Sequence, residues 1–101
     1  STGRQRRSWC YVADVAAGIL RILLCGNVGD AYNIANPGSV ATVLEFAQTM
    51  ANIAGIGVVC SGTDTSAPDC ILNANKLMQI GWMPEYDLAA GLRHTLDIYR
   101  K

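Results

Sequence analysis

The stretch Gly3-Arg4-Gln5-Arg6-Arg7-Ser8-Trp9 places three arginines within four residues, beside a glutamine and ahead of an abruptly apolar run. A guanidinium presents a planar fork of donors that matches the oxygens of a phosphate, and partial desolvation strengthens the pairing. Across the whole chain Lys plus Arg equals Asp plus Glu, 8 against 8, so the basic character is local. A protein that tracks a nucleic-acid backbone normally carries a global basic excess, so one small anionic ligand fits this cluster better than a polymer. Side chains alternate along an extended segment. Gln5 therefore shares a face with Arg7 and can add a hydrogen bond there, while Arg4 and Arg6 point the other way, toward solvent.

Other chemistries find little support. The four cysteines, at 10, 25, 60 and 70, lack metal-ligand spacing, and the single histidine, His94, is remote from them in sequence. No metal site is expected. Cys25 and Cys60 follow apolar residues and read as small buried hydrophobes in a reducing, cytoplasmic setting. No Gly-rich turn opens a helix, because Gly26-Asn27-Val28-Gly29 closes one instead. Neither a P-loop nor a Ser/His/Asp nucleophile arrangement is present, so no catalytic residue is assigned. The N-terminus lacks the apolar run of a signal peptide, and the longest apolar stretches are too short and interrupted to span a bilayer.

The elements that must position the arginines follow from periodicity. Half of the 101 residues are hydrophobic and 16% are charged, which is ample for a packed core and outside the disordered regime. Ser8 to Val12 is aromatic and β-branched enough for a strand. Asp14 reads as the N-cap of a helix whose buried stripe is Val15, Ala16, Ile19, Leu20, Leu23 and Leu24, ending near Gly26. Ala31 to Ala35 is a second strand candidate, before the turn Asn36-Pro37-Gly38. Ser39 or Thr42 caps a second helix, Glu45 stands at capping-box spacing from Thr42, and Gly55 ends the helix. Ile56 to Cys60 reads as a third strand, and 61–69 as a loop. Asn75 to Ile80 is a short helix closed by Gly81, and Asp87 caps a last helix carrying Leu88, Leu92, Leu96 and Tyr99. The expected class is α/β: short strands with about four helices in a single unit, 1–101.

Three stretches resemble the C-terminal part of the extended short-chain dehydrogenase/reductase family, the NAD-dependent epimerases and dehydratases of nucleotide sugars. Gly3 to Asp14 is similar to a G-x-Q-x-R-x-F/W-x-Y-V-x-D segment, and Ala31-Tyr32-Asn33-Ile34-Ala35 to a Y-N-I-G/A segment. Asn75-Lys76-Leu77 through Gly81-Trp82-Met83-Pro84, then Leu88, Gly91 and Leu92, resembles a K-L-x-x-L-G-W-x-P…L-x-x-G-L ending. The resemblance implies a fragment: the small substrate-binding lobe, with the N-terminal Rossmann domain and its Tyr-x-x-x-Lys absent. NAD belongs to the intact parent and none is bound by the lobe. Arg7 falls at the position that reaches the substrate's diphosphate. Gln5 and Asn33 join it as substrate-binding candidates, Asn33 having backbone hydrogen bonding as its other reading. Trp9 and Trp82 are expected to pack the lobe.

Two features keep other readings open. Members of the family often carry a second diphosphate arginine before the K-L-x-x-L-G-W segment. Residues 61–75 here contain no Arg, and Asp64 and Asp69 supply negative charge instead. The partners expected are a nucleotide sugar and the Rossmann domain, with no nucleic acid and no membrane. The alternatives are a structural or assembly domain that pairs with a second copy, and a small module binding RNA or another anion.

Overall fold

A computed structural model describes residues 2–63 and 68–100. A three-residue strand β1 (Arg6–Ser8) leads to helix α1 (Val12–Cys25); a 3-10 turn (Pro37–Ser39) runs into strand β2 (Val40–Thr42) and helix α2 (Val43–Ala54). Helices α3 (Asn75–Gln79) and α4 (Leu88–Tyr99) complete the order. β1 and β2 pair antiparallel, with Arg7 opposite Ala41. On its other edge β1 meets the returning chain at Cys70 in a parallel bridge.

The helix ends obey local chemistry. Thr42 Oγ1 accepts from the Glu45 N–H at 3.0 Å while Glu45 Oε1 accepts from the Thr42 N–H at 2.9 Å, the reciprocal capping box expected from their spacing. The backbone carbonyls of Gln5 and Gly3 take the next N–H groups, those of Val43 and Leu44. Three donors that a helix start leaves unpaired are thereby satisfied, and the arginine segment is tied to α2. Gly55 ends α2 at φ 74°, a left-handed conformation that glycine adopts without a Cβ penalty. Asp87 caps α4 by accepting from the Ala90 N–H at 2.7 Å.

Asp14 departs from expectation. The N-cap of α1 is Tyr11, and Asp14 sits inside the first turn, 4% exposed. Its two carboxylate oxygens accept the backbone N–H groups of Glu85 and Tyr86, both at 3.0 Å. Two otherwise unmatched donors of the segment before α4 outweigh one cap bond. The Asp14 carbonyl also takes the Trp82 indole N–H at 2.9 Å, so one residue ties α1 to the whole 82–86 connection.

The α1 stripe is a larger correction. Ile19, Leu20, Leu23 and Leu24 are 56–80% exposed, and the side that packs carries Gly18 and Ile22 instead. A Cβ on Gly18 would stand 3.2 Å from the Trp82 indole nitrogen and 3.3 Å from Leu77, so this face suits glycine. The core beneath it is Ala35, Ala74, Leu77 and Trp82. The first strand lies at Arg6–Ser8 instead of Ser8 to Val12, whose last residue opens α1, and the two later strand expectations fail for want of a partner: residues 31–35 and 56–60 form no strand, and Val59 is 91% exposed. β2, in turn, was not expected. Three of the cysteines, Cys25, Cys60 and Cys70, are exposed rather than buried, because the apolar segments carrying them are uncovered here. Asp64 lies outside the described residues.

The molecule is a slab, 45 × 38 × 18 Å, with a radius of gyration of 15.5 Å. A self-contained domain of about 100 residues reaches about 13 Å. This chain is therefore too thin to enclose all its apolar faces.

Two substitutions separate the local from the tertiary contributions. Thr42→Ala is expected to cost about 1 kcal/mol through the lost cap. Asp14→Ala is expected to cost more, about 2–3 kcal/mol, because it strands two N–H groups. Urea denaturation measures both; equal costs would reject this account of Asp14.

Candidate functional site

β1 is short but firmly held. Around Arg7, the Ser8 N–H donates to the Cys70 carbonyl at 3.2 Å and the Cys70 N–H to the Arg6 carbonyl at 2.9 Å. With β2 on the opposite edge, the Arg7 backbone is fixed from both sides. Its side chain is half-buried, and among the described residues the guanidinium has no hydrogen-bond or ion-pair partner. Trp9, two residues on, stacks on Phe46 with ring centroids 4.0 Å apart and donates its indole N–H to the Ala41 carbonyl. The packing role expected of Trp9 and Trp82 is what the structure shows.

The neighbouring polar side chains divide between faces as strand alternation requires. Arg6 and Ser8 both engage the returning segment. Arg6 Nε donates to Asp69 Oδ2 at 3.0 Å, its backbone N–H to Asp69 Oδ1 at 2.8 Å, and Ser8 Oγ accepts from the Leu72 N–H at 2.8 Å. Gln5 lies on Arg7's side; its amide oxygen is buried without a partner. Arg4 and Arg6 are exposed, as expected. Asn33 is exposed as well, and its amide donates to the Asn73 carbonyl at 3.3 Å, the backbone role already weighed for it. Lys76 stands nearby, bonded to the Ala31 carbonyl at 2.9 Å and paired with Asp30 at 3.3 Å.

Asp69 is the residue whose importance only the fold discloses. The Arg6 backbone N–H first, then the Arg6 guanidinium, hold its carboxyl below the usual carboxylate range, and the charges of Arg6 and Arg7 add to the effect. Glu45 is lowered likewise by its Thr42 bonds, the backbone one foremost. Burial, and then the charge of Asp14, push the Cys10 thiol up.

A separate apolar cavity of about 400 Å³ opens between α2 and α4, lined by Trp9, Tyr11, Phe46, Tyr86 and Leu92 among others. None of Gln5, Arg7 and Asn33 lines it. At its edge the Tyr11 hydroxyl is hydrogen-bonded to His94 Nδ1. A Cβ on Gly91 would stand 2.9 Å from the Tyr11 ring, so only glycine admits this approach of α4.

The profile of the NAD dependent epimerase/dehydratase family matches residues 1–35, the segment that holds the arginine strand and α1. UDP-glucuronic acid decarboxylase 3 of Arabidopsis thaliana is 32% identical over 96 residues, covering 89% of this chain. The chain is similar, along nearly its whole length, to members of the NAD dependent epimerase/dehydratase family. Among relatives of this family, dTDP-D-glucose 4,6-dehydratase of Mus musculus is 27% identical across 99% of the chain. The crystal structure of dTDP-glucose 4,6-dehydratase from Bacillus anthracis, in complex with NAD, superposes with a TM-score of 0.86 at 27% identity over 99% of the chain. The chain spans 27%, 31% and 33% of these three proteins respectively. Among the described residues, no helix is long and apolar enough to cross a membrane.

The Arg6–Asp69 pair makes a pH-dependent prediction. A carboxyl held lower in the folded state than in the unfolded contributes stability above the ordinary aspartate value of about 3.9, and the contribution fades as pH falls further. Asp69→Asn is expected to lower neutral-pH stability only slightly, because the pair is exposed. It should flatten the loss of stability below about pH 4. Urea midpoints collected across the acid range measure this; an unchanged acid slope would reject it.

Proposed function

We propose that this chain is the substrate-binding lobe of an NAD-dependent nucleotide-sugar epimerase or dehydratase, and that Arg7 grips the diphosphate. The observation that carries the reading is the Arg7 guanidinium: half-buried, on a strand fixed at both edges, and unpaired among the described residues. A guanidinium on a fixed strand with no protein partner keeps its fork of donors available to an anionic ligand. Gln5 is kept as a second candidate, because its buried amide oxygen lacks a protein partner and could accept a hydrogen bond from a ligand if its side chain turned outward. Asn33 is retained as a weaker candidate, since its amide already serves the Asn73 carbonyl. Nucleotide-sugar enzymes dominate the relatives by name, which supports the same class of ligand.

This chain's described residues do not fit NAD. β2 runs directly into α2, and β1 reaches α1 through Trp9-Cys10-Tyr11, so no glycine-rich turn joins a strand to a helix start. The hydride chemistry is assigned to a Rossmann domain elsewhere in the full-length protein. The lobe's own work is to bind, to orient and to exclude water. The exposed face of α1, with Ile19, Leu20, Leu23 and Leu24, is the surface proposed to pack against that domain. That face also favours a second reading, assembly with another copy of the chain. The reducing, cytoplasmic setting belongs to the proposal too.

Two measurements test these assignments. In the full-length protein, Arg7→Ala is expected to weaken UDP-glucose or dTDP-glucose about ten-fold or more by calorimetry, the cost of one charged hydrogen bond. An unchanged Kd would remove Arg7 from the site, and a wild-type protein binding neither ligand would overturn the nucleotide-sugar reading. Leu20→Ser with Leu23→Ser should barely alter the 101-residue chain's own stability, since both side chains are already exposed. The same pair should destabilise the full-length protein by several kcal/mol if another domain covers them. Equal effects in both would reject the packing assignment.

A further inference from the structure

We infer that Asp69 makes the Arg7 site discriminate against a terminal phosphate, so that a sugar-capped diphosphate is taken in preference to a free nucleoside diphosphate. The inference rests on the reading of Arg7 as the phosphate contact and adds a selector to it.

The returning chain delivers the carboxylate to the arginine strand. Cys70 bridges Arg7 itself, and Asp69, one residue before it, binds the Arg6 backbone N–H and guanidinium together. A carboxylate bonded to a strand's backbone N–H lies at the strand's edge, in the plane of the sheet. From there its charge reaches either face, and Arg7 is among the cations that stabilise it. Arg6 is neutralised by the pair, at 3.0 Å. Glu45, on α2, adds negative charge within reach of Arg6. Arg6, Arg7, Asp69 and Glu45 together sum to zero, so a ligand at Arg7 meets one arginine bordered by carboxylates and no excess of positive charge.

Ligand charge decides what this border does. In a sugar-capped diphosphate each phosphate carries one negative charge. A free nucleoside diphosphate ends in a terminal phosphoryl group, whose second ionisation, like that of a phosphate monoester, lies near pH 6 and brings it to about −1.5 to −2 at neutral pH. One arginine offsets a single charge of either ligand, and the extra charge of the second is left to face Asp69. One like charge at several ångströms, in a water-exposed setting, changes affinity about two- to five-fold. The selector thus favours ligands that still carry their sugar.

The test is calorimetric titration of the full-length protein with UDP and with UDP-glucose, in wild type, Asp69→Asn, Arg6→Gln and Arg7→Ala. Asp69→Asn keeps an acceptor for the Arg6 N–H. It is expected to tighten UDP about two- to five-fold and UDP-glucose by less, with the gap closing in about 1 M salt. Arg6→Gln frees the carboxylate and should shift the ratio the opposite way, which keeps the test alive if the first variant folds poorly. A UDP to UDP-glucose ratio unchanged in both variants would overturn the inference. If Arg7→Ala weakens both ligands while that ratio stays fixed, only the role of Asp69 falls. If Arg7→Ala changes neither affinity, the phosphate contact itself falls.

Discussion

The arginine strand depends on being hydrogen-bonded along both edges. Three residues make a poor strand alone, and a two-stranded ribbon is marginal in water. β1 persists because β2 takes one edge and the segment at Cys70 takes the other, while the carbonyls of Gly3 and Gln5 are spent on the first turn of α2. Each bond also serves the site. They leave Arg7 little backbone freedom, so in the proposed role less backbone entropy would be lost on binding.

Around that strand, the structure economises on enclosed volume. Leu77 is the one large side chain fully buried among the described residues, and apart from Leu92 and Trp82 the other buried hydrophobics are alanines. Polar latches do much of the joining. Asp14 holds the segment before α4 through two backbone N–H groups, Trp82 binds the Asp14 carbonyl, and Lys76 binds the Ala31 carbonyl while lying 4.6 Å from the Tyr32 ring centroid. Directional bonds of this kind fix geometry without requiring thickness. They suit a slab 18 Å deep, whose apolar α1 face remains open.

The charge distribution carries the same economy into the site. Three arginines look like a broad basic patch when read along the chain. Folded, Arg6 is consumed by Asp69, and Arg7 alone stands half-buried among the three. The proposed anion contact is thus narrow, a single cation bordered by a carboxylate. Such a contact favours one small ligand over a polyanion, because a polymer's affinity comes from many phosphates neutralised at once.

What the residues settled locally was decided within a few positions of chain. Thr42 with Glu45, Asp87 with Ala90, and the glycines at 55 and 81 set helix boundaries through short-range hydrogen bonds and backbone sterics, and these were legible in advance. Arg7 and Trp9 could be singled out from motif spacing, and their alternation followed from strand geometry. Tertiary structure decided the remainder. Whether a segment becomes a strand depends on a distant partner, which β1 finds at residues 40–42 and the apolar residues 56–60 do not. Which face of α1 turns inward depends on where Trp82 and Leu77 arrive, and they select the glycine side over the leucine side. Asp69 lies 63 positions from Arg6, so no local pattern could pair them. Periodicity and capping act over one or two turns of chain; partner choice and charge pairing are long-range, and only the closed fold sets them.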